Sequence, residues 1–363
     1  MANKKTSIGG QALIEGIMMR GPEKTAMAVR NAKDEIILEK WENTGKVPKI
    51  FRLPIIRGVY GMISSFLLGY KCLMRSADIS LADAEEEIKT EEAAKHACQG
   101  VSSDAECTAS NEQSSAEQVS PSLTEEKEKA SDIEAAGKAK KENKTSSADN
   151  KALLTVVMII GMVLGIGLAI FLFILLPTFV SKLIVGGSAD SLTSSEALLR
   201  SVIEGLMKIV ILILYMWAVS FMKDIKRTFM YHGAEHKTIF CYEKGLTLTV
   251  ENVRAQRRFH PRCGTSFLIL MLLVSIFIGF FIRIDHVVLR TAIKFALLPI
   301  TVGIGYELIK FAGRHDNIIT KIISAPGVWL QHITTKEPTD DMIECAIAAM
   351  NEVIPEDSEK DNW

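Results

Sequence analysis

Four long apolar runs dominate the chain beyond residue 150: residues 152–177, 198–222, 267–282 and 287–312. A bilayer core about 30 Å thick takes about 20 apolar residues of helix. The first, second and fourth runs reach that length. The third is shorter but consists almost wholly of Leu, Ile, Phe, Met and Val, so it is expected to span with flanking residues at the interfaces. A core helix of a soluble protein keeps a polar face, which these runs lack. Ahead of them, residues 53–70 are apolar apart from Arg57, with Gly58, Gly61, Ser65 and Gly69 three to four apart, a spacing that suits close helix packing. Pro54 and Arg57 interrupt its start, so residues 53–76 are expected to form an interfacial or re-entrant helix.

The polar stretches complete the plan. Residues 77–150 are rich in Glu, Asp, Lys, Ser and Ala and contain no aromatic residue, which predicts a disordered acidic linker. Residues 1–52 read as a small strand-rich unit, with Thr25–Arg30 and Glu35–Trp41 forming a hairpin around Asn31–Asp34. Upstream, the glycine-rich stretch from Gly9 to Pro22 carries Glu15 and Arg20, read either as a functional pair or as surface charges beside a strand punctuated by glycine. Residues 316–363 are expected to be a cytoplasmic tail. The fold class is thus a mainly α membrane protein, a four-helix transmembrane bundle plus an interfacial or re-entrant helix, with a small β-containing N-terminal unit.

Charge adds orientation. The 363 residues carry a formal net charge of −1 and a mean hydropathy of +0.19, the latter in spite of the long polar segment. That balance gives no indication of nucleic-acid binding. Lysine and arginine concentrate in the loop at 223–266, including Lys226, Arg227, Arg257 and Arg262, and in the N-terminal region. The positive-inside rule then puts this loop and both termini in the cytoplasm. Six cysteines without a secreted-type framework, and a start without a signal-peptide core, agree with a reducing compartment.

The chemistry concentrates in the same loop. His232 and His236 stand four apart with Glu235 between them, the order H-x-x-E-H, which on a helix puts both imidazoles on one face. Cys241, His260 and Cys263 follow within the segment. A zinc site needs neutral imidazole or thiolate ligands, and a catalytic one keeps a position open. His232 and His236 are two metal ligands; His260, Cys263, Cys241 and Glu307 are the candidates for the rest. Glu307 lies in the fourth apolar run near its cytoplasmic end, where a carboxylate is functional by default. Glu235 is the candidate catalytic base. The second run is expected to continue as helix past Met222 to about Tyr242, with Thr249 capping a short helix from Val250 to Arg258 and His260-Pro261 turning the chain back. The plainer readings are a chance histidine pair, a surface glutamate, and Glu307 paired with Lys310 or Arg314 on its own helix. Glu204 and Lys208 read as a structural i, i+4 pair.

Three segments, Gly9-Gly-Gln-Ala-Leu-Ile-Glu-Gly-Ile-Met-Met-Arg20, His232-Gly-Ala-Glu-His-Lys237 and His260-Pro-Arg-Cys-Gly-Thr-Ser266, resemble the YqhQ-like family of bacterial multi-pass membrane proteins. The resemblance implies a location in the bacterial inner membrane. The family is a domain of unknown function, sometimes described as a predicted metal-dependent enzyme, and the resemblance implies no substrate.

Three functions follow as alternatives. One is a membrane-embedded, zinc-dependent hydrolase with Glu235 as base. The second is a non-enzymatic scaffold or assembly factor whose metal closes the loop structurally. A transporter using Glu204, Lys208, Lys294 and Glu307 ranks last, since no inverted repeat is visible. The expected partners are the lipid bilayer, anionic lipid headgroups held by the basic loop, an unknown protein partner and a second copy of the chain.

Overall fold

The computed structural model describes residues 5–43, 48–99, 156, 160–186, 194–282, 284, 287–315, 317–357 and 361. The chain divides into two units, one formed by residues 1–89 and 172–363 and the other by residues 90–171. The first contains every element that positions the candidate site.

Four antiparallel strands, β1 (Gly9–Leu13), β2 (Gly16–Arg20), β3 (Lys24–Arg30) and β4 (Ile36–Glu42), pair in sequence order. The expected hairpin is β3–β4, with Arg30 opposite Ile36. Alternation along β2 and β3 sends Ile17, Met19, Ala26 and Ala28 to one face and Met18, Met27 and Val29 to the other, and both sets are buried. A sheet buried on both faces needs a layer on each side. One layer is α1 (Ile56–Gln99), whose Cys72 and Ile79 join the Met18 face. The other is formed by α4 (Lys223–Glu243) and α10 (Asp340–Val353), through Tyr231 and Ala234 and through Met342, Ile343, Ala346, Met350 and Val353.

Two expectations about the polar segments change here. α1 continues through residues 77–99, in the part of the chain expected to be linker, because Ala, Glu and Lys there are strong helix formers; residues 100–150 lie outside the described residues. The C-terminal segment expected as a tail is structural. Its helix α10 carries fully buried Met342, Ile343 and Met350, at about 1.5–3 kcal/mol of burial each.

The apolar runs form α2 (Ile160–Val185), α3 (Ser194–Val219), α6 (Gly264–Gly279), and a bent pair α7 (Val287–Ala296) and α8 (Leu298–Arg314). Among the described residues, two helices, α2 and α3, are long and apolar enough to cross a membrane, or up to three if the bent pair counts as one span. The bend is 44°, at Pro299, which lacks the N–H that would continue the ladder. α6 has 16 residues, about 24 Å of rise.

α3 does not run on into α4 as expected. Phe221 and Met222 close three-residue bonds to Ala218 and Val219, and the Ser220 hydroxyl donates to the Trp217 carbonyl at 2.7 Å, tightening the last turn. Met222 is extended, with ψ 133°, and α4 starts afresh. The Thr249 cap is as expected, its side chain accepting from the Asn252 amide, although the helix α5 it starts ends at Arg254. α9 (Ile318–Thr334) then packs along α6, and Gly327 lies so close to Ser266 that an added Cβ would stand 2.5 Å from its Cα.

Candidate metal centre

α4 presents His232 and His236 one turn apart, ring centroids 4.4 Å from each other. Cys263, the N-cap of α6, comes to meet them: its sulfur lies 3.1 Å from His232 Nε2 and also accepts from the Thr265 amide. One ligand atom from each of the three lies within 4.8 Å of the others.

The other face of each imidazole is already committed. His232 Nδ1 lies 2.9 Å from the Thr334 carbonyl, and His236 Nδ1 contacts the Arg258 carbonyl. A carbonyl only accepts, so each Nδ1 carries a proton and each Nε2 is the nitrogen left to face a metal, the arrangement found in metal-binding histidines. His232 Nε2 has the sulfur as neighbour. His236 Nε2 is buried with no protein hydrogen-bond partner among the described residues. A buried orphan acceptor is uncommon, and a cation in front of it removes the anomaly.

Charge points the same way. Burial disfavours protonated His232, yet the adjacent Cys263 sulfur, by charge and by hydrogen bond, lifts its pKa to about 9. Burial likewise disfavours the Cys263 thiolate, but His232 and His236 bring its pKa well below the ordinary thiol value. Without metal the cluster therefore favours a thiolate–imidazolium pair, and a thiolate is the form that binds metal.

Glu235 is buried on the same turn. Burial raises its pKa, against the pull of His232 and His236, and the Gly10 amide hydrogen-bonds it. A cavity of about 130 Å³ opens beside these groups, walled by Gly9, Gly10, Glu235, His236, His260 and Cys263.

The remaining sequence candidates lie elsewhere. His260 is adjacent, its ring 5.7 Å from that of His236, but its Nε2 faces Glu243 at 3.6 Å, and Glu243 also takes Arg262. Burial, with the nearby His236 and Arg262, drives the His260 pKa down to about 4. Glu307 is held by the Arg57 guanidinium through both carboxylate oxygens, not by Lys310 or Arg314. Cys241 faces the Leu246 and Thr247 carbonyls. Glu15 pairs with Arg227 rather than Arg20. Glu204 reaches across to Lys294 at 2.6 Å and Arg290 at 3.4 Å on α7.

Several supporting groups escaped the sequence reading. Gln331, fully buried, accepts from the His260 amide and donates to the His260 carbonyl, both at 2.7 Å, and to the Ser266 hydroxyl at 3.0 Å. It clamps the turn that delivers Cys263. A lone glutamine within the apolar stretch of α9 was its only trace. Gly10 and the Thr334 and Arg258 carbonyls complete the surround, and of these only the glycine pair at 9 and 10 left a mark in the sequence.

Sheet, helices and cluster together define a mostly helical protein with a small N-terminal sheet and a His/His/Cys group at their junction. The chain belongs to the family described as "Protein of unknown function (DUF1385)", whose profile matches residues 53–356. It is 30% identical over 349 residues to the "Uncharacterized protein YqhQ" of Bacillus subtilis (strain 168), covering 95% of this chain and 92% of that one. No solved structure matches it.

Proposed function

We propose that this is a multi-pass protein of the bacterial cell membrane with a cytoplasm-facing zinc site of His232, His236 and Cys263, acting as a metal-dependent hydrolase. The observation that carries the reading is the His236 ring. Its Nδ1 is committed to the Arg258 carbonyl, and its Nε2 is orphaned beside Cys263 and the His232 Nε2. A tetrahedral ion held by three protein groups keeps one position, and the cavity beside Glu235 gives that position room. The ion would supply Lewis acidity. Glu235, buried and with its pKa raised, is suited to take a proton from water in the cavity and return it to a leaving group. His260 and Arg262, both beside Glu243, also line this cavity.

Four crossings, formed by α2, α3, α6 and the bent pair, are supported by contacts at the far end of α3. There Ser201 Oγ donates to the Gly279 carbonyl at 3.3 Å, and Arg290 reaches Ser201 at 3.2 Å. Both ends of the 223–266 loop then return to one side, the side that the lysine and arginine bias assigns to the cytoplasm.

Metal analysis tests the reading. Wild type should carry about one zinc per chain, and His232→Ala, His236→Ala and Cys263→Ala should lose it. Glu235→Gln should keep the zinc. Zinc absent from wild type, or retained by all three ligand variants, refutes the site. A scaffold role gains support from the buried ligands joining α4 to the base of α6. It requires a fourth protein ligand, which X-ray absorption of the zinc would count.

A further inference from the structure

A second cavity, about 480 Å³, adjoins the metal centre and shares His260 and Arg262 with its smaller neighbour. That volume falls in the range of about 300–1,000 Å³ usual for small-molecule sites. Its walls are apolar where Phe240, Phe259, Pro261 and Val328 contribute, and its charged groups are four cations, Lys5, Arg257, Arg262 and Lys321, against one carboxylate, Glu243. Arg262 is engaged by Glu243, and the Lys5 ammonium donates one bond to the Gly313 carbonyl at 2.9 Å. Arg257 lies 4.5 Å over the Phe240 ring, and neither it nor Lys321 meets a carboxylate among the described residues. Two cations without a counter-ion among the described residues, set against apolar walls, leave a place for an anion.

The surroundings point to its source. Lys321 and Ser324 stand on α9, whose Ile318, Ile319 and Ile322 are 75, 57 and 67% exposed and whose Trp329 is 54% exposed. An exposed aliphatic face with a tryptophan, on a helix packed against the apolar α6, is the pattern of a helix in contact with the lipid interface. We propose that this cavity binds the phosphate-bearing headgroup of an anionic phospholipid, with Arg257 and Lys321 on the phosphate and the acyl chains leaving along the aliphatic face of α9. Lipid binding here involves no chemistry and is independent of the zinc site, with or without bound metal.

The full-length protein in zwitterionic detergent is titrated with phosphatidylglycerol, with phosphatidylcholine and with inorganic phosphate, and zinc is measured in the same samples. We expect saturable binding of phosphatidylglycerol at least about tenfold tighter than phosphatidylcholine. Arg257→Gln/Lys321→Gln should weaken it about tenfold or more. Arg257→Lys/Lys321→Arg should retain it, and Lys223→Gln/Lys226→Gln, which removes equal charge elsewhere in the loop, should leave it unchanged. Thermal unfolding confirms that each variant folds; if the double Gln variant does not, the single Lys321→Gln is decisive, with a weakening of at least threefold expected. Equal affinity for the two lipids, or equal weakening by both double Gln variants, overturns the site. Inorganic phosphate binding as tightly as the lipid overturns the lipid assignment. Zinc loss with lipid binding intact would defeat the hydrolase reading and leave this one standing.

Discussion

Gly10 of β1 and Glu235 of α4 are packed so closely that a Cβ on the glycine would stand 2.9 Å from the glutamate Cδ and 2.8 Å from the Met18 carbonyl oxygen. Two of the three motifs thus meet at one point. Gly10→Ala should be destabilising by about 1–3 kcal/mol, since the Met18 carbonyl belongs to the paired strand β2 and yields only with the sheet. Zinc content should hold, because none of the three ligands is touched. Chemical denaturation of Gly10→Ala, Glu235→Ala and the double variant should reveal a coupling of at least about 0.5 kcal/mol. Strict additivity would show that the two residues do not bear on each other.

How far the sequence reaches depends on the range of the signal. The β3–β4 hairpin, the Thr249 cap and the pairing of His232 with His236 are local, and periodicity or spacing declares them. Cys263 was one of four possible partners for the histidines, because which group closes the site depends on where a turn lands in space, and Gln331 of α9 determines that from 71 positions away. The partner of Glu307 is hidden for the same reason: Arg57 lies 250 residues away, and a sequence suggests only same-helix neighbours. The apolar residues of α10 fill the face of a sheet at the opposite end of the chain, so nothing beside them in sequence marks them as core. The break between α3 and α4 has no proline or glycine to announce it.

Gln331 supports the cluster only indirectly, which makes it a test of positioning. Gln331→Leu keeps the volume but leaves the buried His260 amide and carbonyl unpaired, at about 1–3 kcal/mol for each group. We expect a lower unfolding midpoint and zinc affinity reduced about 10–100-fold, as for other outer-shell partners. Unchanged affinity in a destabilised protein would mean that Cys263 is held by α6 alone.

His260 makes the metal-free fold acid-sensitive. Its folded pKa of about 4 lies below the 6.5 of an ordinary histidine, so the unfolded chain takes up the proton first. Stability is therefore fully present above about pH 6.5 and is lost as pH falls toward 4, by an amount on the order of 3 kcal/mol. Glu243, whose pKa burial raises but His260 and Arg262 lower on balance, adds a further loss only below the ordinary carboxylate range. Denaturation of chelator-treated protein from pH 7.5 to 4.5 should show this slope, and His260→Gln should flatten it. A slope unaltered by the substitution would locate the sensitivity in other groups.

Glu307 separates a ligand from a strut. Its carboxylate is taken by Arg57, next to the point where α1 and α8 approach through Gly58 and Gly303. Glu307→Gln should leave zinc content at the wild-type level while lowering thermal stability, because Arg57 then has no counter-charge. Zinc loss in that variant would return Glu307 to the ligand set.

The number of crossings turns on α6, whose 16 residues fall short of a full bilayer thickness by length alone. In the proposed topology its neighbours favour a crossing. Cys263 at its start sits with the 223–266 loop, and Gly279 at its end touches Ser201, near the beginning of α3. Gly205 leaves room for Ile276 along the way, an added Cβ there lying 2.7 Å from its side chain. If α3 spans as proposed, a helix antiparallel to it that contacts its far end has covered most of the distance, and residues 280–282 would supply the remainder. A side-sensitive reporter fused after Met222 should read cytoplasmic and one fused after Ile282 should read external. Cytoplasmic signals from both would make α6 re-entrant, and the histidine loop would then owe its sidedness to α3 alone.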